Sequence, residues 1–163
     1  MTIKSTTILM LAVSVAACAS SKSTVVPGGT HDGTHITKIA VVSDSVLADS
    51  VGLSLSSRGF VVSPANSGTD PMGLVSEKQR RPLVDAGFDA VLIVRSTNDD
   101  EGRPQNANAL IYSVDTGQLV TGVTWQNGHG FGIRSSVTNQ AMKANQHEAA
   151  QEIADDLAKV IPR

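Results

Sequence analysis

Two short apolar runs constrain the fold more than anything else in the chain. Lys38–Val42 (KIAVV) and the core of residues 88–95 (FDAVLIVR) are apolar with no polar interruption. A strand with one wet face alternates apolar and polar positions, so an unbroken β-branched run needs cover on both faces, as parallel strands between helices have. The segments between them fit that arrangement. Leu47, Val51 and Leu55 recur at four-residue spacing behind a cap at Asp44, and Gly59 follows Arg58 where a helix calls for a left-handed residue. Residues 59–63 (GFVVS) form a second strand and 64–69 a loop. Asp70-Pro71 opens a second helix that runs to about Ala86, with a kink or restart expected at Pro82. Residues 106–114 and 118–126 are strands joined by the turn Asp115-Thr116-Gly117, a hairpin. After a Gly-rich loop at 127–136, a terminal helix is expected from about Thr138 to Val160, with Met142, Ala149, Ile153, Leu157 and Val160 on one stripe and Lys143, Glu148, Glu152 and Asp155 largely off it. The expected class is α/β: a βαβαββα sandwich of two or three layers with right-handed parallel crossovers. Its sheet is mixed, with parallel core strands, the hairpin at one edge and the long terminal helix packed on it.

Length and charge narrow the function. With 163 residues there is room for one hydrophobic core, placed in a single domain over residues 38–163. Five aromatic residues and a net charge of -2 supply neither a stacking platform nor a basic footprint, so nucleic acid is not expected as a partner. One Cys rules out a disulfide framework and a multi-Cys zinc site.

That Cys gives the address instead. Residues 1–4 are a short positive segment and 8–15 an apolar one, and small residues stand just ahead of Cys18, the layout of a secretory signal too short to span a bilayer. The run Val15-Ala16-Ala17-Cys18 resembles the bacterial lipobox. The resemblance implies cleavage between Ala17 and Cys18, with the Cys18 sulfur carrying a diacylglyceryl group and its amine acylated. More than one acyl chain gives stable anchoring. Ala19 stands where Asp would be the usual inner-membrane retention signal, which implies the outer membrane, with the domain facing the periplasm. Residues 18–37, from the lipidated Cys onward, are rich in Ser, Thr and Gly and read as a flexible tether, about 25 Å across as a coil.

From Lys38 on the motifs also resemble a family. Gly87-Phe88-Asp89-Ala90-Val91-Leu92 is similar to a Gly-Ala-Asp-Tyr-Val strand start, and Asp115-Thr116-Gly117 to an Asp-x-x-Thr-Gly hairpin turn. Both belong to the superfamily of the curli secretion lipoprotein CsgG, the penicillin-binding-protein activator LpoB and the N-terminal domain of TolB. The likeness spans about residues 38–160 and implies the fold more than a function. The chain has no loops long enough for the hairpin inserts of a CsgG-like pore, and its tether is short beside the stalk of an LpoB-like activator.

Chemistry is sparse. His31 and His35 have the spacing of a helical metal pair but lie in a Gly-rich segment, and Asp99, Asp100 and Glu101 lack the spacing of a calcium loop, so no metal or other cofactor is expected. Residues 128–132 (GHGFG) with Arg134 have the makings of an anion nest but lack the Lys and Ser/Thr of a phosphate loop. His129 and His147 have no nucleophile elbow beside them, which leaves a periplasmic hydrolase as the weakest alternative. Trp125, His129, Phe131 and Arg134 are candidate partner contacts, because aromatic residues dominate interface hot spots, although the favoured reading of Trp125 is packing beneath the terminal helix. The expected function is non-catalytic: a lipid-anchored accessory protein that docks on an envelope protein machine of secretion, cell-wall synthesis or appendage assembly. A self-assembling ring subunit, hence a homo-oligomer, is the main alternative.

Overall fold

The computed structural model describes residues 21–29, 35–65, 76–127 and 144–163. A six-stranded mixed sheet is built from β1 (Lys22–Pro27), β2 (Lys38–Val42), β3 (Val61–Pro64), β4 (Ala90–Asn98), β5 (Pro104–Ser113) and β6 (Leu119–Gln126), in the spatial order β1-β6-β5-β4-β2-β3. The helices are α1 (Val46–Ser56), α2 (Glu77–Asp85) and α3 (Gln146–Val160). β2 pairs in parallel with both β3 and β4, and the remaining pairs are antiparallel. The expected α/β class, the parallel core and the β5–β6 hairpin are therefore all present.

The unbroken apolar runs are explained by cover from both sides. Ile39 and Val41 of β2, with Leu92 and Val94 of β4, face the larger core under α1 and α3. Their alternates Ala40, Val91 and Ile93 face a smaller cluster that includes Leu83 of α2. After β3 the chain crosses back over β2 to reach β4, and two crossovers of one hand that run in opposite directions put their helices on opposite faces. Three layers result over the parallel half of the sheet. The Asp89 carboxylate ties this half together by accepting from the Thr37 and Lys38 amides, each at 2.8 Å, and from the Thr37 hydroxyl.

Several expectations are corrected. Residues 22–27, placed in a flexible tether, form β1, an edge strand paired with β6 from Lys22 opposite Gln126 to Pro27 opposite Thr121. The β-branched core of this strand (TVV) needs a partner, and the partner lies about a hundred residues away, beyond the reach of local pattern reading. The hairpin is consequently not at the edge of the sheet, because β1 covers its outer strand. The first helix is capped by Ser45, whose side chain accepts from the Ala48 amide, and not by Asp44. The terminal helix begins at Gln146: Asn145 is extended, and its side chain and that of Glu148 form a reciprocal capping box. Asp70-Pro71 and Met142 lie outside the described residues, and α2 runs through Pro82 for three further residues.

Candidate functional site

The side chains that stay unburied locate the candidate site. In α1 the buried stripe Leu47, Val51, Leu55 faces the sheet, while Val46 and Leu53, seven residues apart, share the opposite side and are 64% and 73% exposed. Leu53 borders a groove of about 320 Å³ between α1 and the edge strand β3, lined also by Val41, Gly52, Val62 and Pro64. Gly52 sets its depth. A Cβ there would stand 3.1 Å from Val41 and 3.3 Å from Val62, so even a methyl at this position would require those side chains to give way by a few tenths of an ångström. Asp49 at the groove rim accepts from the Ser43 hydroxyl. Val61, on the other side of β3, is 57% exposed.

The backbone of this edge resists strand addition. The amides of Val61 and Ala65 donate to the Thr37 and Val41 carbonyls, so by alternation Val62 and Pro64 direct their backbone groups outward, and Pro64 has no N–H to offer. At the opposite edge β1 is flanked by Lys22 and Pro27, residues that blunt an edge in the same way. A partner at the α1–β3 groove would therefore be held by apolar side chains and not by extension of the sheet.

Trp125 is not a surface anchor. It is fully buried under α3, and its Nε1–H donates to Glu152 Oε2 at 2.6 Å. Position explains this: Val123 and Trp125 lie on the face of β6 turned toward the long helix. Next to it Asn127, also buried, donates to the Pro104 and Ala144 carbonyls and accepts from the Ala144 amide, which joins the end of β6 to the start of β5 and the approach to α3. His129, Phe131 and Arg134 lie outside the described residues, as do Ala17, Cys18 and His31. His35 is exposed, and so is His147, whose ring contacts Gln151 within α3. Asp99 folds the β4–β5 turn by accepting from the Glu101 and Arg103 amides. Among the described residues no group of three or more His, Cys, Asp or Glu is arranged to hold a metal, and no helix is long and apolar enough to cross a membrane.

Burial raises the Asp89 carboxyl, but the Lys38 and Thr37 amides, the Thr37 hydroxyl and the Lys38 ammonium together outweigh it and hold the group below the ordinary aspartate range. These bonds make Asp89 a structural latch, and it does not line the groove. The signal for the groove itself was present in the sequence: Leu53 stands nearly opposite the Leu47, Val51, Leu55 stripe on a helical wheel.

No protein-family model matches the chain, and no curated protein matches it. Solved structures do. The protomer of the PelC dodecamer from Paraburkholderia phytofirmans superposes with a TM-score of 0.54 at 16% identity, over 88% of this chain and 99% of that one. The chain shares that fold. Lipoprotein GNA1162 from Neisseria meningitidis gives a TM-score of 0.40 at 20% identity, over 64% of this chain and 90% of that one. TolB from Acinetobacter baumannii gives 0.45 at 16% identity, over 86% of this chain and 31% of that one.

Proposed function

We propose that the chain is a lipid-anchored, non-catalytic assembly protein of the bacterial envelope, held at the outer membrane through Cys18 and facing the periplasm, and that it works by associating with copies of itself. The observation that carries this reading is the fold, shared over almost the whole chain with the protomer of a dodecamer. The lipobox at residues 15–18 supplies the anchor. Leu53 beside the α1–β3 groove, with Val46 exposed on the same side of α1, supplies a contact of the right chemistry, since exposed apolar side chains near a groove mark association surfaces. Docking on a further envelope protein is the role such an assembly would serve.

Light scattering of the detergent-extracted lipoprotein tests the reading. A mass many times that of the 163-residue chain is expected, and Leu53→Asp, which leaves the buried stripe of α1 untouched, is expected to reduce it to the monomer without loss of thermal stability. A strictly monomeric wild-type protein sinks the proposal.

A further inference from the structure

The pairing of β1 removes most of the slack between the anchor and the domain. Ser21 is the first described residue and Lys22 is already hydrogen-bonded into the sheet. Only three peptide links separate Ser21 from Cys18, a reach of at most about 11 Å. The register fixes which end of the sheet lies there. Lys22 stands opposite Gln126, Gln126 opposite Asn106, and Asn106 opposite Thr97, so the start of β1 is level with the end of β4 and the start of β5. Beyond that level projects the β4–β5 turn, residues 99–103, carrying it roughly 10 Å further at about 3.3 Å per residue. The projection matches the reach of the linker.

We infer that the β4–β5 turn rests in the polar headgroup layer of the membrane that holds Cys18, with the strands standing along the membrane normal. This rests on the lipid anchor of the proposed function and goes beyond it by assigning an orientation and a contact surface. The turn, with three acidic side chains and one Arg, would sit no deeper than the headgroups, and the contact rests on the short reach from Cys18. Residues 99–103 (DDEGR) contain no apolar side chain to enter the hydrocarbon, and the turn is braced from within by Asp99 and by the Arg103–Glu101 ion pair. The opposite end of the sheet, with the Asp115-Thr116-Gly117 turn and the exit of β1, then faces away from the membrane across the length of β5, ten residues or roughly 34 Å. The other outcome, a domain swinging freely on its anchor, is what a tether over the whole of 18–37 would give.

Single-cysteine labelling distinguishes the two. In the mature lipoprotein the Cys18 thiol is consumed as a thioether, so a fluorophore on Asp100→Cys or Asp115→Cys reports one position only. Both proteins are reconstituted into phosphatidylethanolamine and phosphatidylcholine vesicles containing a lipid with a paramagnetic headgroup. Loss of fluorescence is expected for the label at 100 and none for the label at 115. Inserting about twenty Gly and Ser residues after Ala19, a coil reach of about 25 Å, is expected to abolish the difference. Flotation with the vesicles is scored in parallel. A wild-type protein that does not float overturns the anchor and this inference with it. A protein that floats but shows equal quenching at both positions overturns the orientation alone.

Discussion

The two faces of the sheet are built on different terms. On one, α1 and α3 lie side by side over β2, β4, β5 and β6, and the enclosed layer holds Trp125, Ile111, Leu92, Ile153 and Leu157, all without solvent exposure. On the other, α2 covers only the parallel half around Ala40, Val91 and Ile93. Past it the register lines up Arg95, Asn108, Thr124 and Thr24 in one cross-strand row, polar and exposed, with Thr124 donating to Asn108 at 2.9 Å. A chain with five aromatic residues cannot fill two thick layers, and it places its one Trp on the helix-covered face, on β6 beneath α3. Stability should therefore be concentrated on one face.

The sharpest way to break this contrast is Trp125→Ala. The substitution removes the largest side chain buried on the helix-covered face and leaves Glu152 without its indole donor, so a loss of about 3–5 kcal/mol is expected in denaturant unfolding. A loss below about 1 kcal/mol would show that the helix-covered face does not depend on this side chain. Asp89→Asn should act less strongly, at the strand-start end that both faces share. Removing the charge weakens three hydrogen bonds, at a cost of about 1–2 kcal/mol near neutral pH, discounted for the partial exposure of the group. The sign with pH follows from the lowered value in the folded state. The stabilisation is fully present above the unfolded value of about 3.9 and is lost as pH falls through the lower folded value, so wild type and variant should converge in acid. A gap that persisted at pH 2 would assign the effect to packing. The smallest effect belongs to the uncovered face, where Arg95→Ala should change stability by no more than about 0.5 kcal/mol.

Much of this was legible in the residues, for physical reasons that also explain what was not. The runs in β2 and β4 announced themselves because cover on both faces leaves no place for a polar side chain. The hairpin was marked by Asp115-Thr116-Gly117, in which Gly117 adopts φ +73°, a conformation that a side chain would strain. β1 was hidden because its six residues are exposed or half-exposed and its partner lies at the far end of the sequence; the Lys and Pro that flank it are edge signals only once an edge is suspected. The start of α3 is marked by the capping box of Asn145 and Glu148, a local signal that competes with the apolar spacing reaching back to Met142. At the candidate site, aromatic residues are not the marker: the surface is defined by Leu53, an aliphatic side chain turned away from its own helix stripe.

The antiparallel pairing of β1 with β6 also has a mechanical meaning. Were Cys18 lipidated as proposed, a pull between it and the rest of the protein would enter the sheet at Ser21 and run along the strand axis. It would strain the ladder from Lys22 to Pro27 all at once and not open it one rung at a time. A fastening loaded in this direction holds against a sideways slide, so under the proposed anchoring the domain would resist being drawn away from Cys18 by the combined strength of that ladder.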